Sequence, residues 1–558
     1  MTPAESLTTG ERQRRDGKFY TPLPFAKKGL EYIEKTLGKE WWKSGGYRLW
    51  DMAAGTGNLE SYLPPDALKY CYLSTLYQGD IEHLKRLFSD AEVFQYDYLN
   101  DDVDPLFLSD GDDLKLTLPW KMPETLRNDL NNPKIKWVIL INPPFATAQE
   151  AAMKGKSKTG VSDTKIRQRM HRENLGEVSR EIYTQFLYRI RHEFLKRETL
   201  LGLFAPMKYL LSNNYQKFRD NVFFSSFRSG FVFSSENFHG TSKTSHFPVS
   251  FALWKVNSGE QPDKHPIVFA ALNNNAEQFD TKKVKFADRT HFLNKWIQRP
   301  PAVKTFPPFS SAMTVKSGNT DPRDRIAEGF LASLMCPGNE LQNQQKTAFL
   351  SGPQVSAGAF SVTPENFEQA VVVFAARRIP QNNWLNHVDQ LMQPAKKLSR
   401  FFITDCAVWC LFDSKNQTVS MRNVEYKGSV YQITNHFFPF SPAELRSWMI
   451  RDADIQKTLC HAADSFAAEW LLKQKLSAAA KKVLEAGRDV YRFYFANLNK
   501  LCTPKFKIES FDAGWRQIQQ ALQDVSLGGA ELTELKRRHD LLRAKLLPQL
   551  YDYGIIGD

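Results

Sequence analysis

An α/β fold on an open, mainly parallel sheet is what the first half of this 558-residue sequence predicts, and three stretches carry that expectation. Residues 137–141 (Trp-Val-Ile-Leu-Ile) are a short unbroken apolar run, the pattern of a strand buried on both faces. The tetrad Asn142-Pro143-Pro144-Phe145 follows at once, which places a rigid polar turn at the carboxyl edge of the sheet, where open α/β sheets bind their ligands. Tyr47-Arg48-Leu49-Trp50 reads as a second strand, and residues 51–59 as a glycine-containing turn running into a helix. Residues 179–197 place Ile182, Phe186, Leu187, Ile190 and Phe194 at helical spacing, ahead of a buried strand at 200–206 and a helix at 207–223.

A chain of this length predicts about two to four domains. The net charge of +13 points to a polyanionic partner. Six cysteines (Cys71, Cys336, Cys406, Cys410, Cys460, Cys502) show no Cys-x-x-Cys spacing and no paired histidines nearby, which argues against both a zinc site and a disulfide framework. No metal is expected. Residues 1–18 are polar and charged, and no apolar run is long enough to span a bilayer, so the expected compartment is cytoplasmic, with no membrane partner.

Several residues carry chemistry by type and position. Two consecutive prolines fix φ and bias the preceding residue toward extended geometry, so the Asn142 amide and the Pro143 carbonyl are two acceptors held in fixed directions beside the Phe145 ring. An exocyclic amino group on a flat heterocycle suits that arrangement: the acceptors take its hydrogens and the ring stacks on the base. In the glycine loop, small residues at 53–57 let a ligand approach the backbone, and Asp51 can hold a cationic amino group. The third glycine of the dinucleotide fingerprint is absent, since position 60 is Glu. Thr21-Pro22 reads as the entry of an amphipathic helix over 25–37, with the hydroxyl free to cap. Residues 151–172 read as a mobile basic loop for phosphate contact, with Lys154, Lys156, Lys158, Lys165, Arg167, Arg169 and Arg172 against one acid, Asp163.

The tetrad at 142–145, the Phe-Tyr-Thr-Pro stretch at 19–22 and the loop Asp51-Met52-Ala53-Ala54-Gly55-Thr56-Gly57 together resemble the adenine-N6 and related amino-methyltransferases. The resemblance covers about residues 12–255. It implies a Rossmann-like domain with a mixed, mainly parallel seven-stranded sheet, S-adenosyl-L-methionine as cofactor, and double-stranded DNA as substrate. Under it, Tyr20, Thr21, Asp51, Ala53, Gly55, Gly57 and Asp97 hold the cofactor, Asp97 through the adenine amino group. Met52 and Ala54 depart from the usual loop. The second strand, 70–76, also departs, because it lacks an acid at its end; Asp80, a turn later, is the candidate for the ribose hydroxyls. Asn142, Pro143, Pro144 and Phe145 are the implied catalytic turn, and Phe238 is the candidate to stack on the far face of a flipped adenine. The strands at 231–233 and 247–254 are expected to close the sheet as a terminal antiparallel hairpin.

The texture changes after Asn257, which predicts a domain boundary there. The expected division is 1–258 as catalytic domain, 259–440 as an α+β target-recognition region, and 441–558 as a helical region. Strands are expected at 369–374, 401–412, 424–426 and 430–433, with Cys406, Val408 and Cys410 alternating toward a core. Motif order followed by a large carboxyl-terminal region resembles the gamma arrangement of the DNA enzymes. Restriction-modification or defence subunits are then implied as partners. An RNA amino-methyltransferase and a non-catalytic DNA-binding subunit are the alternative readings.

Overall fold

The computed structural model describes residues 20–44, 46–103, 120–145, 164–223, 226–238, 246–256, 266–284, 289–308, 324–353, 358–449, 465–501 and 513–557. They divide into two compact units, Met1–Ala287 with Asn383–Val388, and Asp288–Asn382 with Asp389–Asp558.

The first unit is mixed α/β around one large sheet. Its strands are β1 (Tyr47–Asp51), β2 (Cys71–Thr75), β3 (Glu92–Gln95), β4 (Lys136–Ile141), β5 (Thr199–Pro206), β6 (Ser226–Ser234), β7 (Pro248–Lys255), β8 (Ile267–Leu272) and β9 (Gln278–Val284), in the order β3-β2-β1-β4-β5-β7-β6-β8-β9. Strands β3, β2, β1, β4 and β5 are mutually parallel, whereas β7 runs antiparallel to both β5 and β6. The sheet therefore has nine strands where seven were expected. The β6/β7 pair does not end it, because β8 pairs parallel with β6 and β9 antiparallel with β8. The polar texture after Asn257 does not mark the end of the sheet either: β9 is an edge strand with mostly exposed side chains, and edge strands favour polar residues.

Strand β4 shows why its run is apolar throughout. Trp137, Ile139 and Ile141 enter one core cluster and Val138 and Leu140 the other, all 0–1% exposed, so both faces are covered. Each such side chain contributes about 1.5–3 kcal/mol by burial. Helix α1 (Leu23–Leu37) lays Phe25, Ala26, Leu30 and Ile33 on the second face, with Phe25 stacked on Phe233. Pro22 is its cap residue, and the Thr21 hydroxyl, expected to cap, makes no such bond. Four further helices of this unit are α2 (Gln78–Leu87), α3 (Glu124–Asn131), α4 (Lys165–Arg172) and α5 (Ile182–Phe194). The glycine loop does not run into a helix: residues 52–62 are turns and irregular backbone. The helix expected over 207–223 is broken into Lys208–Leu211, a 3-10 turn at Asn213–Tyr215 and Gln216–Asn221. Ser212, Asn213 and Asn214 are residues whose side chains compete for local backbone bonds.

The second unit holds a four-stranded sheet of β10 (Ala332–Met335), β11 (Ala348–Leu350), β12 (Ala359–Val362) and β13 (Asn416–Gln417) in the order β12-β10-β11-β13. The strands expected at 369–374 and 401–412 are helices, α6 (Phe367–Arg378) and α7 (Arg400–Leu411). Both are buried nearly all round, and a helix apolar on every face shows no 3.6-residue period to separate it from a buried strand. Cys406, Val408 and Cys410 are buried, but as helical residues. Strands stand at both 424–426 and 430–433, as β14 (Met421–Tyr426) and β15 (Ser429–Ile433); they pair as an antiparallel hairpin whose turn residues Lys427 and Gly428 both have positive φ, the geometry of a two-residue hairpin. Helices α8 (Ala478–Ala496) and α9 (Gly529–Asp552) pack into a core that also takes in Leu334, Val372 and Val408. That shared core spans the expected division at 440/441.

Candidate active site

Parallel strands present their carboxyl ends at one edge, and a cavity of about 230 Å³ opens there. Asp51 is the last residue of β1, Thr75 the last of β2, Asp97 follows β3, and Asn142 and Pro144 follow β4; all line the cavity. Tyr20, Thr21, Ala53, Gly55 and Asp80 also line it. Gly57, Pro143, Phe145 and Phe238 are not among the lining residues.

Gly57 serves the turn. Its φ is +81°, its N–H donates to the Ala54 carbonyl at 2.8 Å, and a Cβ there would lie 2.3 Å from the Phe88 ring. Phe238 is 2% exposed and meets Phe145 edge-on, with centroids 6.0 Å apart and planes at 83°. A base held between two rings needs them parallel with a base thickness between, so Phe238 here buttresses Phe145 and presents no face of its own.

Asp80, in the first turn of α2, accepts from the Thr75 hydroxyl at 3.4 Å. An acid on the helix thus reaches the place where none stands at the strand end. Ser74, near the same spot, is engaged by the Trp50 indole at 3.1 Å. Asp97 accepts from the Leu99 N–H at 3.0 Å and the Asn100 amide at 2.8 Å, which hold its carboxylate in one orientation.

Asp51 is fully buried; its Oδ1 accepts from the Ala53 N–H at 2.7 Å, and burial pushes its carboxyl up to about 7. Glu60, also fully buried, is pushed well up by burial and by Asp51. Thr21 Oγ1 is buried and has no hydrogen-bond partner among the described residues. Orphaned buried polar atoms are costly unless a ligand satisfies them. Thr21 and Asp51, with the acids Asp80 and Asp97, fit the hydroxyl, ammonium and amino groups of an adenosyl amino acid.

Part of the basic stretch lies among the described residues. Lys165, Arg167, Arg169 and Arg172 lie on α4, which corrects the expected mobile loop for these residues; Lys154, Lys156 and Lys158 lie outside the described residues. The Thr164 hydroxyl caps α4 by accepting from the Arg167 N–H at 3.0 Å, and Thr164 itself lines the cavity. Ile166 and Met170 bury one side of α4, leaving Lys165 and Arg172 exposed.

Sequence reasoning passed over Glu60, Asn58, Asn100 and Arg189. The Asn58 amide donates to the Thr21 carbonyl at 3.0 Å and lines the cavity. Arg189, fully buried on α5, donates to the Tyr98 and Asp101 carbonyls and the Tyr96 hydroxyl, and its guanidinium lies 4.2 Å from the Tyr98 ring centroid. Its signal was available: Arg189 and Glu193 stand at i,i+4 on the face that carries Phe186. Among the described residues no cluster of three or more His, Cys, Asp or Glu could hold a metal, and no helix is long and apolar enough to cross a membrane.

No protein-family model and no curated protein matches this chain. Solved structures do. In the DrdV–DNA complex the match covers 62% of this chain and 36% of that one, at 16% identity and a TM-score of 0.36. The type IIL restriction-modification enzyme MmeI, in complex with DNA, matches over 97% of this chain and 81% of its own, at 10% identity and a TM-score of 0.31. The type I restriction enzyme EcoKI M protein matches over 46% of this chain and 48% of its own, at 13% identity and a TM-score of 0.26. This chain thus spans about half or less of DrdV and of the EcoKI M protein. All three similarities are low, with TM-scores of 0.36 or below.

Proposed function

We propose that the chain is a DNA amino-methyltransferase that moves a methyl group from S-adenosyl-L-methionine to the N6 amino group of an adenine flipped out of duplex DNA. The supporting observation is that Asn142 and Pro144 of the tetrad share one cavity with Asp51, Asp80 and Asp97. The cofactor, when bound, supplies an electrophilic methyl on a sulfonium. Asn142 and the Pro143 carbonyl accept from the target amino group, which aims the nitrogen lone pair at that methyl, and Phe145 stacks on the base. Asp51 takes the ammonium, Asp80 the ribose hydroxyls, and Asp97 the adenine amino group of the cofactor. The residues beyond Asp288 are assigned to target recognition, and a restriction-modification or defence system is the setting. Methylation of duplex DNA measured beside transcript RNA tests the reading; transfer to RNA alone overturns it.

Replacing Asp97 by Ala should weaken S-adenosylmethionine binding by roughly 1–3 kcal/mol, the range for losing a charged acceptor, with the melting profile kept. Calorimetric titration measures it, and unchanged affinity would leave Asp97 as only the anchor of its own turn.

The basic residues supply affinity without sequence choice, since phosphate contacts position a protein and base edges specify. Neutralising Lys165 and Arg172, both exposed on α4, should weaken target and non-target duplexes about equally. The log–log salt slope should flatten by about one unit per lost phosphate contact. A changed methylation sequence with an unchanged slope would refute this division.

A further inference from the structure

Glu60 occupies the place where the dinucleotide fingerprint carries its third glycine, and its carboxyl is fully buried. Neither of its oxygens has a hydrogen-bond donor among the described residues, and nor does Asp51 Oδ2. Each carboxyl acts on the other, so the two are close neighbours. Ionised carboxylates only accept, so a bond between them needs a proton. Among the described residues no cation acts on either carboxyl; beyond each other and the Ala53 N–H on Asp51, the neighbouring group is the buried Cys71 thiol of β2, itself pushed up by burial. Burying two uncompensated anions is prohibitive, whereas one anion facing one cation is not. Thr21 Oγ1, from a separate segment, is a further buried and unpartnered polar atom lining the same cavity.

We infer that Glu60 is a positioning residue that stays protonated and donates its O–H to Asp51, so that capture of an ammonium group at Asp51 expels one proton. The inference rests on the cofactor reading above, in which the ammonium belongs to the amino-acid portion of the cofactor. The exchange balances: the Asp51 carboxylic acid and the incoming ammonium yield a carboxylate–ammonium pair and one proton in solvent, while Glu60 keeps its own. The sign follows. Asp51 in the empty site sits at about 7, and a bound cation lowers it. Affinity therefore falls about tenfold per pH unit as the pH drops below about 7, and levels off above it.

The test is calorimetric titration of the full chain with S-adenosylhomocysteine at about pH 6 and about pH 8, each in two buffers of different ionisation enthalpy. About 0.9 proton should be released at the lower pH and about 0.1 at the higher, with affinity about tenfold weaker at the lower. 5′-Methylthioadenosine, which lacks the amino-acid portion, should release none at either. Glu60→Gln keeps a donor and the side-chain shape but removes the second acid. Because a protonated Glu60 is itself a neutral donor, the pH profile of Glu60→Gln should stay where it is, whereas Glu60→Leu, which removes the donor to the Asp51 anion, should shift the weakening to higher pH. A merely structural Glu60 would move the melting temperature of Glu60→Leu and leave its pH profile alone. Zero proton release by the wild type at the lower pH, or an unshifted profile in Glu60→Leu, overturns the inference while the cofactor reading stands. Absence of binding by both ligands at both pH values overturns the cofactor reading, and this inference with it.

Discussion

Asn142→Ala is expected to slow methyl transfer by roughly two to three orders of magnitude, the cost of removing one preorganised polar contact from a reacting centre. Asn142 lines the cavity at the end of β4, and two prolines after it hold the turn. The strand beneath is buried on both faces, so the amide sits on a rigid support, and rigidity is what makes an acceptor effective when charge develops. The cofactor side of the cavity is built from other segments, and its affinity should stay within about twofold of wild type. Single-turnover transfer to duplex DNA and calorimetry separate the two effects. A rate within about tenfold of wild type would remove the tetrad from the reaction.

Arg189→Met should cost about 3–5 kcal/mol of stability, because it strips the partner from a buried ion pair and leaves other groups unsatisfied. The guanidinium contacts the Glu193 carboxylate at 3.4 Å, the Tyr96 hydroxyl at 2.6 Å and the Asp101 carbonyl at 2.8 Å, all inside the unit. Those bonds pin residues 96–101, the segment that carries Asp97 and lines the cavity with Tyr98 and Asn100. Cofactor affinity should fall along with stability. Denaturant unfolding reads the first, and ligand titration well below the unfolding midpoint reads the second. A loss under about 1 kcal/mol would mean that the cluster is not the clamp its geometry describes.

Local chemistry made part of this molecule readable from residues alone. The run at 137–141 could be read as a strand because an apolar stretch so short, ended by prolines, has few other uses, and β4 is found there. Asp51, Asp97 and Asn142 could be placed at one edge because parallel strands share an edge. The helices α6 and α7 could not be read. Val371, Val372, Val373 and Phe374 are buried together, and a segment covered on all sides presents the same composition whether coiled or extended. Asp405, inside α7, makes sense only in the folded unit, where Lys545 of α9 and the Ser477 hydroxyl before α8 both bond it.

The same distinction runs through the site. The order of the strands' terminal residues, the fixed direction of Asn142 and the need for glycine at position 57 follow from bond geometry and short-range sterics, which a sequence carries in its own spacing. Whether the Thr21 hydroxyl caps a helix or faces a cavity, and whether Phe238 stacks or buttresses, depends on which distant segment lies against each side chain. So does whether Glu60 is solvated or buried. Only the tertiary structure decided those, because burial and the pairing of charges are set by neighbours far away in the chain.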